Sequence, residues 1–120
     1  MNNENDKIQR FTDLYAWQEG HKLVLMLYKM TDRFPDKEKY SLTDQMRRAA
    51  VSVTSNIAEG FSRRSSKEKS RFYDTAQASL VELQNQLIIS KDVFYLSDND
   101  FRLINEQSIL SKWTFKSYKG

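Results

Sequence analysis

The amino-acid sequence predicts an all-α protein, an antiparallel up-and-down four-helix bundle, on three observations. Only three Gly and one Pro punctuate 120 residues, too few for the turns that a sandwich or barrel requires. Apolar residues recur at intervals of three and four in four separate stretches, the signature of amphipathic helices. The breaks between these stretches are short, so successive helices pack as antiparallel neighbours. At this length one domain, residues 1–120, holds a single core.

The first helix is expected over about residues 13–33. Leu14, Trp17, His21, Val24, Leu25 and Tyr28 form its apolar stripe, widened by Leu23, Leu27 and Met30. Pro35 ends it, because the proline ring disfavours helical geometry at Phe34. The second, over about residues 42–62, starts at a Ser41 cap with Asp44 in its first turn and continues through Met46, Ala50, Val53, Ile57 and Phe61. Ser65 and Glu68 form a capping box that opens a third helix over about residues 66–96, with Phe72, Ala76, Leu80, Leu83, Leu87 and Phe94 on one face. Ser97, Asp98 and Asp100 favour the start of a fourth over about residues 98–117, carrying Phe101, Ile104, Ile109 or Leu110, and Trp113.

The formal net charge is only +3, but it is unevenly placed. Residues 45–71 hold seven basic and two acidic groups, whereas the segments on either side are nearly balanced. The seven are Arg47, Arg48, Arg63, Arg64, Lys67, Lys69 and Arg71. Such a cluster around the junction of the second and third helices fits a polyanionic partner, RNA or DNA, held through phosphates with little sequence preference. Phe72 and Tyr73 beside it read as core residues rather than as stacking platforms.

The second helix carries a further oddity. Ser52, Ser55, Asn56 and Glu59 share a side with Arg48 and Arg63, and Gly60 lies on the apolar side. A solvated face would favour longer side chains, since Ser and Asn compete with the backbone for hydrogen bonds. Short residues here point to a close approach, either within the bundle or between subunits. Glu59 has Arg63 and Asn56 within reach at helical spacing.

Catalytic chemistry has little to build on. His21 is the only His and lies on an apolar stripe, where a hydrogen-bonded, partly buried ring is the expectation. The paired Glu-x-x-His pattern of di-metal bundles is absent, and without Cys neither disulfides nor thiolate sites form. Glu59 and Glu82 are the one pair of carboxylates with a prospect of meeting across two helices. The expectation is a non-enzymatic protein with no metal and no cofactor. The longest apolar run, Leu23 to Tyr28, is far too short to cross a bilayer, and "MNNENDK" is unlike a signal peptide, so a soluble, cytoplasmic protein without membrane contact is expected.

"LYAWQEGHKLVLMLYKMTDRFPDKEKYSLTDQMRRAAVSVTSNIAEGFSRRS" followed by "FYDTAQASLVELQNQL" resembles the four-helix-bundle family encoded in intervening sequences of bacterial 23S ribosomal RNA genes, whose relatives include the accessory variability determinant of diversity-generating retroelements. Trp17, Phe34, Pro35, Arg47, Arg48, the run from Asn56 to Gly60 and "SLVEL" at Ser79 to Leu83 carry the likeness, and Ala78 stands where many relatives have Gly. The resemblance implies an up-and-down bundle in a homopentameric ring, non-enzymatic and associated with nucleic acid, with a reverse transcriptase as partner in the retroelement relatives. Asn56, Glu59 and Gly60 match its motif positions. The competing expectation is an assembly or adaptor protein that binds another protein, such as a reverse transcriptase or a ribosome-associated partner, without touching nucleic acid. The tail "SKWTFKSYKG", with Trp113, Phe115 and Tyr118 among lysines, suits either partner.

Overall fold

The structure, a computed structural model, describes residues 8–119, and side chains for residues 8–112. Among the described residues the chain forms four α-helices, α1 (Tyr15–Thr31), α2 (Leu42–Ser62), α3 (Ser66–Asp92) and α4 (Asp98–Lys119), with short 3-10 turns at Phe11–Asp13 and Asp36–Glu38. Partners across each seam run in opposite directions. Arg47 meets Tyr28, Thr31 and Asp32 while Gly20 meets Thr54. Ser52 meets Ser79 and Gly60 meets Lys69; Gln84 meets Ser108 and Lys91 meets Phe101; Glu19 meets Gln107 and Arg33 meets Asp100. All four pairs of neighbours are therefore antiparallel.

The α1 face turned to the core differs in phase from the expected stripe. Ala16, Glu19, Gly20, Leu23, Leu27, Met30 and Thr31 are buried, whereas His21, Leu25 and Tyr28 are exposed. Apolar residues lie on both sides of this helix, so periodicity alone does not choose the face. The small residues Ala16 and Gly20 choose it: a Cβ on Gly20 would sit 3.0 Å from Cγ2 of Thr54. Trp17 packs at the edge of the core between Phe11 and His21, with ring centroids at 5.5 and 4.6 Å. Ahead of α1, the amides of Gln9 and Arg10 donate to Asp13, and these bonds hold its carboxyl below the usual carboxylate range.

The α2 bounds are those expected, but its cap is different. The Ser41 hydroxyl makes no cap bond to the helix and instead donates to Glu38 at 2.7 Å, and Glu38 accepts from the amide of Leu42. A carboxylate from the preceding turn thus caps α2. The Ser41 and Tyr95 hydroxyls that donate to Glu38 lower its pKa, and the same contact raises that of Tyr95. In α3, Ser65 accepts from the amide of Glu68, which is the forward half of the expected capping box.

The end of α3 departs most from expectation. The helix stops at Asp92 rather than near residue 96, in a Schellman arrangement: Tyr95 N–H donates to Ser90 and Phe94 N–H to Lys91. Phe94 takes the left-handed position with φ 67° and is 92% exposed, so it is no core residue. In α4, Ser97 accepts from the amide of Asp100 as expected, and Ile104, Ser108 and Ser111 face inward while Ile109 and Leu110 both face out. The expectation of an inward Ile109 or Leu110 fails because hydroxyls that bond back to their own helix, Ser108 to Asn105 and Ser111 to Gln107, fill the narrow seam. The side chains of Trp113, Phe115 and Tyr118 lie outside the described residues.

Left-handed backbone costs a β-carbon-bearing residue about 1–2 kcal/mol, and the Phe94 ring recovers little of this by burial. Phe94→Gly, after its own unfolded-state entropy is counted, is expected to stabilise the protein by about 1 kcal/mol and to raise Tm by roughly 4 °C. A lower Tm in thermal denaturation would show that the ring supports the fold. Glu38 adds a pH dependence. Its ionised form is favoured in the folded chain, so this contribution is complete above the unfolded carboxylate value of about 4.3 and fades as pH falls through the lower folded value. Tyr95→Phe should lower the denaturation midpoint at neutral pH, and the gap to wild type should narrow below about pH 4.

Candidate nucleic-acid interface

The α2–α3 corner is built by the way α2 ends. Arg63 leaves the helix in extended conformation, and Lys69 reaches back from α3 to donate to the last carbonyls, Phe61 at 2.9 Å and Gly60 at 3.3 Å. A cation at the negative end of a helix dipole satisfies both charge and hydrogen bonding there. Arg63 pairs with Glu59, and its guanidinium lies 4.7 Å from the Phe72 ring centroid. Its Nε is buried without a partner among the described residues.

The seven cations expected to form one zone divide into two groups. Arg63, Arg64, Lys67, Lys69 and Arg71 meet at the corner. Arg47 and Arg48 begin sixteen residues earlier along α2, about 24 Å of helix rise from it, and both are engaged. Arg47 donates to Thr31 at 2.9 Å, to Asp32 at 3.1 Å and to the Tyr28 carbonyl, with its guanidinium over the Tyr28 ring. Arg48 pairs with Asp44 at 2.9 Å. At the corner, Arg64, Lys67 and Arg71 are exposed, and none pairs with a carboxylate among the described residues. Lys67 and Arg71, four residues apart, share one face of α3 beside Arg64.

The short residues of α2 also divide. Ser52, Asn56 and Gly60 form the seam with α3: the Ser52 and Ser79 hydroxyls meet at 2.8 Å, and Asn56 donates to the carbonyl and hydroxyl of Ser52 at 2.8 and 3.0 Å. A Cβ on Gly60 would lie 2.7 Å from the buried Tyr73 ring and 3.1 Å from Cβ of Phe72. The close approach is thus within the bundle for these three. Ser55 and Glu59 face outward. Glu59 bonds Arg63, not Asn56, which turns to Ser52. Nor do Glu59 and Glu82 meet: with Ser52 opposite Ser79, they lie about 15 Å apart along the axis.

Beside the corner, a groove of about 110 Å³ is lined by Asn56, Arg71, Phe72 and Thr75. A second cavity of about 180 Å³ at the other end of the bundle is lined by Asp32, Asp36, Lys39, Thr43 and Arg47 among others. His21, expected to be hydrogen-bonded and partly buried, is an exposed ring stacked on Trp17. Sequence reasoning passed over Glu19, which is 2% exposed, pairs with Lys22 and accepts from Gln107 at 2.9 Å. Its signal was its position, three residues after Ala16 and four before Leu23. Among the described residues no group of three or more His, Cys, Asp or Glu could hold a metal ion.

Fold and corner together define an all-α bundle with three exposed cations, Arg64, Lys67 and Arg71, close together at the α2–α3 hairpin. The chain belongs to the 23S rRNA-intervening sequence protein family, whose model matches residues 12–112. A comparison with curated proteins returns no match.

Because the atoms facing Gly60 belong to a packed ring and a helix-borne Cβ, Gly60→Ala should destabilise the bundle by about 1–3 kcal/mol. Ser55→Ala, on the outward side of the same helix, should change stability by less than about 0.5 kcal/mol. Urea denaturation of both variants checks the assignment, and equal effects would remove it.

Proposed function

We propose that this protein is a non-enzymatic, oligomeric nucleic-acid-binding bundle that grips phosphates with Arg64, Lys67 and Arg71 at the α2–α3 corner. The observation that carries this reading is the density of exposed cations at one hairpin, three within the eight residues from Arg64 to Arg71. Arg33, Arg47, Arg48 and Arg63 are tied to carboxylates, whereas the three corner cations are exposed and unneutralised among the described residues. Cations in that state release counterions when phosphate replaces them. The family's connection with 23S rRNA intervening sequences favours RNA as the polyanion, and with it a cytoplasmic site of action. Among the described residues no helix is long and apolar enough to cross a membrane.

Outward apolar side chains, Val81 and Ile88 on α3 and Ile109 on α4, support assembly with further copies, and the pentamer implied by the family resemblance would repeat the corner on each subunit. A protein-binding adaptor is the second reading. It is favoured by Phe94 and Tyr40, which are 92% and 86% exposed at the opposite end of the bundle.

Fluorescence anisotropy with labelled RNA across a salt series separates the two. Affinity should fall steeply with log salt, and reversing Arg64, Lys67 and Arg71 to Glu should weaken binding and flatten the slope by about 2 to 3. Arg48→Glu, which removes a cation already paired and distant, should leave the slope nearly unchanged. Absent or salt-independent binding would favour the adaptor.

A further inference from the structure

We propose that the groove between Asn56, Arg71, Phe72 and Thr75 seats one unpaired base of a bound RNA strand, and that it prefers bases bearing an exocyclic amino group. The inference rests on the nucleic-acid reading of the same corner and goes beyond it, because phosphate contacts alone distinguish neither base from base nor single strand from duplex.

The polar atoms of the groove have fixed roles. Both hydrogen bonds that Asn56 donates go to Ser52, one of them to a backbone carbonyl that only accepts. This fixes the amide orientation, with Nδ2 toward Ser52 and Oδ1 left as an acceptor. Thr75 spends its proton on the carbonyl of Arg71 at 3.1 Å, so its hydroxyl oxygen also faces outward as an acceptor. Two acceptors, Asn56 from α2 and Thr75 from α3, call for a ligand with donors; the exocyclic amino groups of adenine, cytosine and guanine each offer two N–H donors, whereas uracil offers only its single ring N3–H.

Phe72 supplies the apolar surface. It is half-buried, and its ring is held in place by the Arg63 guanidinium, itself fixed by Glu59. A ring stiffened in this way, with a cation against it, is the kind of surface on which unpaired bases stack. Arg71, at the rim, extends the line of Arg64 and Lys67 that would follow the backbone of the strand. The groove, about 110 Å³, is on the scale of a single base rather than of a base pair.

The test leaves the protein unchanged at first. Anisotropy at one salt concentration compares oligo(C), oligo(A) and oligo(U) RNA of equal length with an RNA duplex. The amino-bearing strands should bind about fivefold more tightly than oligo(U), the factor one hydrogen bond of ordinary strength supplies, and more tightly than the duplex. Thr75→Val, on an exposed position, should reduce that preference while leaving the salt slope intact. Asn56→Leu should do the same, with circular dichroism reporting whether the bundle has survived. Equal binding of all four ligands with steep salt dependence would overturn the base site and leave the phosphate reading standing. If none of them binds, both fall.

Discussion

The architecture depends on how closely α2 approaches the helices on either side. Gly20 of α1 meets Thr54, and Gly60 of α2 meets Phe72 and Tyr73. Between them Ala49, Ala50 and Val53 are buried, and the hydroxyls of Ser52 and Ser79 touch. Dispersion energy rises steeply as surfaces come together and is lost over gaps of half an ångström to one ångström. Small residues at these points let Leu23, Leu27, Leu80, Leu83 and Leu87, all 0–1% exposed, interlock behind them. α2 therefore acts as the wedge of the bundle. The corner that follows it inherits its position from that wedge, because the contact at Gly60 fixes where α3 begins relative to the last turn of α2.

Charged side chains in this protein are used in two ways. One set finishes helices and locks seams: Lys69 on the C-terminal carbonyls of α2, Glu38 on its first amide, Arg47 across α1 and α2, and Glu19 with Gln107 between α1 and α4. Exposed ion pairs are worth at most about 1 kcal/mol, so these groups matter more for register than for stability. Glu19 is the exception in kind, because a buried carboxylate without its partners would carry a large desolvation cost. The other set, Arg64, Lys67 and Arg71, is exposed and has no carboxylate partner among the described residues.

The all-α bundle and the bounds of α2 were legible because they depend on local signals: punctuation by Gly and Pro, capping residues at Ser65 and Ser97, and helical spacing. The face of α1 was not, since Leu25 and Tyr28 are as apolar as Leu27 and Met30, and only the tertiary fit of Ala16 and Gly20 decides between them. For the same reason the inward turn of Ser108 and Ser111 in place of Ile109 and Leu110 is invisible to hydropathy. The α3 terminus was missed because a Schellman turn announces itself by Gly or Asn, and here Phe94 occupies that position. At the candidate site, sequence proximity grouped seven cations, but a helix holds Arg47 and Arg48 a fixed distance from Arg63. Their pairing with Asp32 and Asp44 depends on which residues the fold brings opposite them.

Three exposed cations on one corner make a weak site in isolation. Each phosphate neutralised contributes through counterion release, and that contribution shrinks as salt approaches physiological levels. Stacking adds about 1–3 kcal/mol per base where a ring is presented, so a groove holding one base beside Phe72 would raise affinity in a way that salt does not erase. Repetition does the rest in the proposed oligomer, because a strand bound at one corner meets the next at a high effective concentration. In such an oligomer each copy would need only modest affinity, of the order that a few solvated cations, one stiffened ring and two acceptors would provide.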